Sequence, residues 1–552
     1  MASPELPSAA APANRFSFYL PLLALPAVYF VLAFVFLVAR GPYWFYYNLD
    51  PDYFYLLNSV TIAEGSAPDC VVHPGTPVQT IGSLVLRVTH LFIGTGTLRE
   101  DVFARPEFYL GLLHAVLLLV ISSLLFWAGD IARRATDALI PALLLQAAPI
   151  FSFTLLESLA AFKPEPLLVG LSVLFGALVL AETCAPLVVP TVAPPDRLLQ
   201  ITSAKALGIV AGLALAVKLT FMPFIALPLF FLHTLKDRLW YGAFFFGAFV
   251  LGLLPALKHW KWIYKNIAHI ATHKGVYGAG ERGLLDWALL PQQLLDLLKA
   301  EPHFAVLLAV SVLFGVAREL KPPADAQARR AVRLLNWLTL FEIGHLLLTA
   351  KHPMVRYLLP SYALLGCNLG LLYIGLGGLS KSQNTSRTPA RSLLALTSAG
   401  TLACMIIWNA GREALRAETA AKLELYHSVE SEASDGTLIF GVVASAPSNA
   451  LFSANALYSR HRFSELIAKK YPRIIFYDIQ LRSFVRKEKP LSMPEFLQEL
   501  RSRPHKLLGD TEWTPLTLRD TCILKEVRHL KDEGLYEVSV RTDSSGTPLV
   551  SP

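Results

Sequence analysis

The stretch "FSFYLPLLALPAVYFVLAFVFLVA", residues 16–39, contains no charged side chain and decides the fold class. A helix needs about 20 apolar residues to cross a hydrocarbon layer of about 30 Å. The stretch has this length, and it exceeds the apolar part of a cleavable signal peptide, which spans roughly 7–15 residues. We therefore predict that residues 16–39 cross a membrane as a helix, with the tail 1–15 in the cytoplasm.

The composition of the whole chain agrees with a membrane protein. Of its 552 residues, 54% are hydrophobic and only 16% are charged, whereas soluble proteins carry about 25% charged residues. The apolar residues come in separate blocks, which is typical of a polytopic α-helical membrane protein. The formal net charge of +8 suits an anionic membrane surface or phosphate ligands, and no segment resembles a nucleic-acid-binding module.

Eleven apolar blocks are predicted to cross the membrane. The basic segments 132–136, 236–238, 318–333 and 381–391 then all lie on the side of the N-terminus, as the positive-inside rule requires of cytoplasmic loops. The odd number of spans places the C-terminal part of the chain on the outer face. The predicted spans are 16–39, 108–129, 137–157, 165–185, 206–217, 219–232, 239–257, 303–317, 334–350, 357–378 and 392–409.

The apolar segment 76–94 is predicted to be an interfacial helix instead of a span. Gln79, Ser83, Arg87 and His90 recur at spacings of four, four and three, so they form one polar stripe on a helix. Arg87 in the middle of a membrane would cost roughly 2.5–3.5 kcal/mol. A helix that lies flat in the interface avoids this cost, so we place it within the first outer loop, 41–107.

The block 206–232 is too long for one comfortable span. It has Lys218 near its middle and two prolines after it. We therefore predict two short passes, with Lys218 at the turn between them.

Residues 411–540 have the composition of a soluble protein and follow the membrane domain, 16–410. Strand-like runs occur at 437–445, 473–479 and 521–527, and helix-like runs at 462–471 and 493–502. Alternation of this kind predicts a small α/β domain on the outer face. The tail 541–552 is predicted to be disordered.

The segment "YYNLDPDYFYLLNSV", residues 46–60, places Asp50 and Asp52 among aromatic rings at the edge of the membrane. A carboxylate just past a helix end is commonly a solvated loop residue. In an aromatic, partly dehydrated setting it becomes a better base. The two aspartates are therefore our candidate catalytic residues.

Several other polar residues fall on the same predicted face of the membrane. Basic side chains there can form an anion site, although a lone interfacial lysine is most often snorkelling. The candidate phosphate-binding residues are Lys163, Lys218, Arg87, Arg282, Lys351 and Arg356. Further site candidates are His73, Glu165, Glu281 and His352, of which the two glutamates can equally be ion-pair partners of those cations.

Acidic groups beside a cationic pocket at a membrane surface suit the transfer of a sugar from a lipid phosphate. The acceptor hydroxyl needs a base to attack C1, and an aspartate can supply it. The leaving phosphate needs fixed positive charges, and its isoprenoid chain needs an apolar groove between spans. This chemistry requires no cofactor, and the aspartates leave room for a divalent cation.

The order of these motifs resembles the GT-C glycosyltransferases, in the branch of the protein O-mannosyltransferases and the lipid A aminoarabinose transferase. The resemblance covers roughly residues 15–410 and rests on "NLDPDYFYLLNSVTIAEG", "HPGTPVQTIGSLVLRVTHLFIG" and "GLALAVKLTFMPF". Relatives typically show Asp-Glu, "HPPL" and a "KG"-like turn, whereas this chain has Asp-Pro-Asp and "HPGT". The resemblance implies a GT-C core with interfacial helices, and a catalytic aspartate at Asp50 or Asp52. We favour Asp50, since Asp52 begins the helix-like run.

The carboxylates and cations on one face predict an inverting transferase. We expect it in the bacterial inner membrane, because the sequence shows no endoplasmic-reticulum retrieval signal. Its donor would be a polyprenyl-phosphate-linked hexose or pentose, and its acceptor a glycan, lipid or protein on the outer face. A transporter or flippase is the main alternative, and it predicts ionisable residues within spans and repeated halves with broken helices. A polymerase or ligase that uses a diphosphate donor and a non-catalytic envelope assembly protein are the others.

Overall fold

The computed structural model describes most of the chain, and some of the predicted features lie outside its described residues. These features are Asp50, His73, the span 392–409 and most of both tails. The described residues are 15–45, 52–71, 75–150, 152–158, 161–184, 203–379, 411, 413–414, 416–427, 437–441, 444–487, 489–512, 518, 520–530 and 533–542.

Fifteen helices make up the membrane part within these residues. They are α1 (Arg15–Arg40), α2 (Asp52–Ala63), α3 (Thr76–Ile93), α4 (Leu98–Ala104), α5 (Pro106–Thr136), α6 (Leu139–Ala147), α7 (Phe153–Ser158), α8 (Pro164–Ala181), α9 (Ser203–Val217), α10 (Leu235–Leu253), α11 (Trp260–Thr272), α12 (Leu290–Ala300), α13 (Pro302–Leu320), α14 (Ala326–Ala350) and α15 (Leu359–Gly375). Short 3₁₀ segments join several of them.

Seven helical segments of the described chain are long and apolar enough to cross a membrane, and each coincides with a predicted span. A further bent pair, α3 with α4 at 90°, would make eight. The polytopic membrane architecture is therefore confirmed. The seven segments are Tyr19–Arg40, Pro106–Thr136, Pro164–Cys184, Leu235–Thr272, Pro302–Leu320, Ala326–Ala350 and Val355–Gly375.

Three other predicted spans form shorter apolar helices, Leu139–Ile150, Ser203–Val217 and Leu219–Phe230. The block predicted at 137–157 is broken because α6 passes into a 3₁₀ turn that contains Pro149. Leu219–Phe230 is a 3₁₀ helix with two internal prolines, which lack the N–H that an α-helix needs.

The helix α3 faces its polar stripe toward the protein. Gln79 and Ser83 are buried, and Gln79 donates to the Cys70 carbonyl at 2.8 Å. The opposite side exposes large apolar residues such as Leu84 and Val88. Gln79, Ser83 and Arg87 donate to backbone carbonyls, and the apolar side is free to meet lipid.

The C-terminal part folds as an α/β domain, as the sequence predicts. After a helical stretch, α16 (416–427), a seven-stranded sheet has the order β4-β3-β2-β1-β5-β7-β6. Strand β1 pairs parallel with β2 and β5, and the outer pairs are antiparallel. The elements are β1 (Thr437–Phe440), α17 (Pro447–Tyr458), α18 (Ser464–Lys470), β2 (Ile475–Asp478), β3 (Ser483–Arg486), β4 (Lys489–Pro490), α19 (Met493–Ser502), β5 (His505–Asp510), β6 (Cys522–Leu530) and β7 (Glu533–Val540).

Side chains along each strand point alternately to the two faces of the sheet. Helices pack against both faces and form a core on each. Phe476 stacks on Phe452 of α17 at 4.4 Å between ring centroids. On the other face Phe484 stacks on Phe496 of α19 at 4.1 Å.

The C-terminal domain packs directly on α2. The rings of Phe54 and Tyr458 lie 4.4 Å apart, and the Asn58 amide donates to the Tyr458 carbonyl at 3.0 Å. Lys470 donates to the Phe103 carbonyl at 2.5 Å. The helix that follows the Asp-Pro-Asp motif is thus fixed between the spans and this domain.

Candidate active site

Asp52 is the first residue of α2, and its side chain is completely buried. The Arg40 guanidinium at the end of α1 donates to it at 2.5 Å, and the backbone N–H of Phe162 donates to its other oxygen. Burial raises the pKa of Asp52, but the charges of Arg40 and Lys163 outweigh burial, so its pKa lies below the ordinary value of 3.8. Asp52 is therefore an ionised structural partner that joins three segments.

This environment disfavours Asp52 as the base that we considered from the sequence. A general base must reach the proton that it abstracts, and both oxygens of Asp52 already accept bonds inside the protein. Its low pKa also makes it a weak base.

A second carboxylate lies close to the same motif. Glu107, at the start of α5, accepts from the Tyr53 hydroxyl at 2.7 Å and from the Tyr43 backbone N–H at 2.9 Å. Two of the aromatic residues near the motif therefore donate hydrogen bonds to Glu107, Tyr53 through its hydroxyl and Tyr43 through its backbone. Sequence reasoning missed Glu107 and Arg40, although both directly adjoin apolar blocks.

Lys218 occupies the break between α9 and the 3₁₀ helix that follows. It is buried, and its ammonium donates to Glu165 in the first turn of α8. The same nitrogen lies 5.1 Å from the centroid of the Tyr357 ring, a cation–π distance. Glu165 is thus an ion-pair partner of Lys218, one of the two roles that the sequence left open for it.

Tyr357 is the centre of a group of aromatic and cationic side chains. Its hydroxyl lies 3.0 Å from the Tyr277 hydroxyl, and its ring is 4.8 Å from His352. The Arg356 guanidinium lies 5.7 Å from the same ring centroid. Burial and the charges of Arg356 and Lys218 lower the pKa of His352 to about 4, so His352 is neutral at pH 7.

The charge balance of these helix ends is positive. Lys351, next to His352, donates to the Ala271 carbonyl at 3.1 Å, and burial lowers its pKa. Five basic residues and three carboxylates lie at these helix ends, which is two more basic groups than acidic ones. The basic residues are Arg40, Lys163, Lys218, Lys351 and Arg356, and the acidic ones are Asp52, Glu107 and Glu165. We call the set Lys163, Lys218, Lys351 and Arg356 the cationic cluster.

Three predicted site residues are not part of this arrangement. Arg87 donates through Nε to the Ala63 carbonyl at 2.7 Å, at the end of α2 remote from Asp52. Eleven residues of helix separate Asp52 from Ala63, or about 16 Å at 1.5 Å per residue. Glu281 and Arg282 are exposed, and the backbone of Arg282 forms an isolated antiparallel β-bridge with that of His273.

Two buried ionisable residues lie within the span formed by α14. The Asn368 amide donates to Glu342 at 2.7 Å, and His345 Nδ1 lies 2.7 Å from the Ser361 hydroxyl. Both residues face α15 and are inaccessible to solvent. Sequence reasoning placed the ionisable groups at one face of the membrane and overlooked this pair, which recurs at a helical spacing of three.

A metal site is not evident among the described residues, where no three His, Cys, Asp or Glu side chains group together. Asp50 lies outside those residues, so the divalent cation considered from the sequence stays a prediction.

No family model matches the chain, and no curated protein matches it either. The solved structures that are similar to the chain include two of ArnT from Cupriavidus metallidurans. The structure bound to undecaprenyl phosphate has a TM-score of 0.49 at 12% identity, and covers 95% of this chain and 98% of that one. The apo structure has a TM-score of 0.46 with the same identity and coverage. At these values the similarity assigns no activity to the chain.

Proposed function

We propose that the protein is an integral-membrane inverting glycosyltransferase. It moves a monosaccharide from a polyprenyl-phosphate carrier to an acceptor at the outer face of the membrane. The observation that carries this proposal is that Asp52 lies beside Arg40 and Lys163 at the helix ends where Lys218 pairs with Glu165. Two of the three motifs that resemble GT-C enzymes contribute a residue here, Asp52 from the first and Lys218 from the third.

The cationic cluster supplies what the leaving group needs. A sugar leaves a lipid phosphate when fixed positive charges stabilise the anion that forms. Lys218 and Arg356 both lie within cation–π distance of the Tyr357 ring, and Glu165 pairs with Lys218. The excess positive charge lies where the spans end, so a phosphate would lie there with its isoprenoid chain between helices.

Asp50 is the proposed general base. Asp52, two residues later, is committed to Arg40 and Phe162. In this assignment Asp52 is a positioning residue that fixes the start of α2 and so the loop that precedes it. The acceptor, a glycan, lipid or protein, presents its hydroxyl to Asp50.

The proposed location is the bacterial inner membrane, with the C-terminal domain in the periplasm. The basic segments 132–136, 236–238 and 318–333 support this orientation. The sugar is a hexose or a pentose. The residues of the cationic cluster can stabilise the leaving phosphate without a cofactor.

The test is reconstitution of the purified protein with polyprenyl-phosphate sugars. Asp50→Asn should abolish turnover, while Asp52→Asn should lower activity in proportion to the loss of folded protein. Full turnover in both variants, each checked for folding, would exclude a catalytic role for the motif.

A second test separates donor binding from acceptor binding. Lys218→Ala should raise the KM for the donor at least about tenfold, since it removes a charge-assisted contact to phosphate, and should change the KM for the acceptor less. Lys299→Ala, an exposed lysine of α12, is the matched control. Equal effects of Lys218→Ala on both constants would contradict the phosphate role.

One observation favours the transporter alternative. Glu342 and His345 are buried within a span, as expected for a proton or substrate pathway. Lipid-linked sugar translocation into liposomes that depends on Glu342 and continues in Asp50→Asn would support a flippase in place of the transferase.

A further inference from the structure

A cavity of about 980 Å³ lies between the membrane part and the C-terminal domain. Its volume is at the upper end of the range of small-molecule sites. Three chain segments line it: the turn after α2, the 3₁₀ turn after α10, and the turn after α17. The residues that the argument uses are Asp69, Lys258, His259, Ser459, Arg460 and Arg462.

The lining is cationic. Asp69 is the carboxylate among the described lining residues, against the basic Lys258, Arg460 and Arg462. Arg460 Nε lies 3.1 Å from Asp69 Oδ1, and Arg462 Nη2 lies 3.6 Å from Oδ2. Two net positive charges therefore face the cavity even when His259 is neutral.

The turn after α17, which lines this cavity, has a strained backbone. Arg460 and His461 both have left-handed backbones, with φ of 46° and 59°, a conformation that residues with a Cβ rarely adopt. Strained residues of this kind concentrate at ligand-binding sites. Next to them, the Ser459 hydroxyl is buried and has no hydrogen-bond partner among the described residues.

The cavity lies at the level of lipid head groups. The nineteen residues of α10 suffice to cross the hydrocarbon layer, so Lys258 and His259 emerge just beyond it. Trp260, Trp262 and Tyr264 follow directly and are exposed. Aromatic side chains of this kind are enriched at the membrane–water interface.

We propose that this cavity binds a phosphate group, carried by a lipid head group or free in solution. Arg460 and Arg462 from the C-terminal domain and Lys258 from the membrane part supply the positive charge that holds it. The bound phosphate joins the two parts of the protein. This site lies at the end of α2 remote from Asp52, and its assignment does not depend on the proposed transferase activity.

The test uses the full-length protein in nanodiscs. In neutral phosphatidylcholine discs, inorganic phosphate is titrated calorimetrically against chloride of equal ionic strength. In a second arm, discs that contain phosphatidylglycerol are compared with neutral discs by thermal unfolding. We expect binding or stabilisation in at least one arm, and the arm that responds identifies the source of the phosphate.

The variants make the result specific to the cavity. Arg460→Gln combined with Arg462→Gln should weaken the response at least about tenfold, as should Lys258→Gln. Lys489→Gln combined with Lys525→Gln, which removes the same charge from strands β4 and β6, should leave it unchanged. Asp69→Asn removes the competing carboxylate and should tighten phosphate binding by about threefold or more. No response in either arm, or a response that the cavity variants retain, overturns the proposal.

Discussion

At the residue scale, the contacts of Asp52 show how a carboxylate can be buried at a membrane edge. Arg40 and the Phe162 N–H compensate the cost of burying this charge, which would otherwise amount to several kcal/mol. The same bonds hold its pKa below the ordinary value. Asp52 therefore has a structural task, and Asp50 stays the proposed base.

Asp52→Asn should destabilise the protein by about 3–5 kcal/mol, because it leaves Arg40 buried without its counter-charge. The free energy of unfolding in detergent measures this. A depressed carboxyl pKa stabilises the fold above pH ~4, so wild-type stability should fall as the pH drops below this value and the variant's should fall less. The double variant Arg40→Met with Asp52→Leu is the control and should recover much of the loss. An unchanged single variant would contradict the buried ion pair.

His352 should not titrate in the physiological range. Its pKa of about 4 means that it is neutral at pH 7, while the unfolded chain takes up a proton near pH 6.5. Stability should therefore decline as the pH falls from 6.5 toward 4, and His352→Gln should reduce this decline. Unfolding curves across this range measure it. An inflection of wild-type activity near pH 6.5 that this variant removes would contradict a neutral His352.

At the element scale, helix breaks bring the candidate site together. Lys218 lies where α9 gives way to a 3₁₀ helix, and Lys163 directly precedes α8. Gly75 before α3 has a φ of 67°, and a Cβ there would lie 3.1 Å from Pro164. A side chain at this position would press on Pro164 at the start of α8.

Gly75→Ala should cost about 1–2 kcal/mol for its left-handed backbone and should also displace Pro164. Gly65→Ala is the matched control, since Gly65 has a similar φ of 79° but no neighbour within 4 Å of a Cβ. Unfolding measurements should show a lower stability in both variants. Transferase activity per folded molecule should fall only in Gly75→Ala. Equal transferase activity per folded molecule in the two variants would show that the turn at Gly75 does not affect the site.

At the scale of the whole molecule, α2 of the membrane part forms a direct contact with the C-terminal domain. The Asn58 amide donates to Tyr458, and its oxygen accepts from the N–H groups of Asp69 and Cys70 at 2.8 and 3.0 Å. The Asn58 side chain therefore bonds both to the C-terminal domain and to the segment that carries Asp69, which lines the cavity.

Asn58→Leu should destabilise the protein by at least about 3 kcal/mol, because several buried backbone groups lose their partner. Limited proteolysis should then release the C-terminal domain faster than in wild type. Asn336→Leu, which loses a single bond to Glu319, should have a small effect on both measurements. Wild-type resistance of the Asn58 variant would show that other contacts suffice to hold the domain.

The sequence alone determined the membrane character, seven full-length spans and the α/β nature of the C-terminal domain, because hydropathy and periodicity are local properties of the chain. It also indicated a special role for Lys218, whose charge interrupts an apolar block. The tertiary structure decided which polar residues meet. Lys218 pairs with Glu165, and Asp52 with Arg40, whereas Arg87 bonds to backbone elsewhere. Such contacts join segments that are distant in sequence, so no local pattern encodes them.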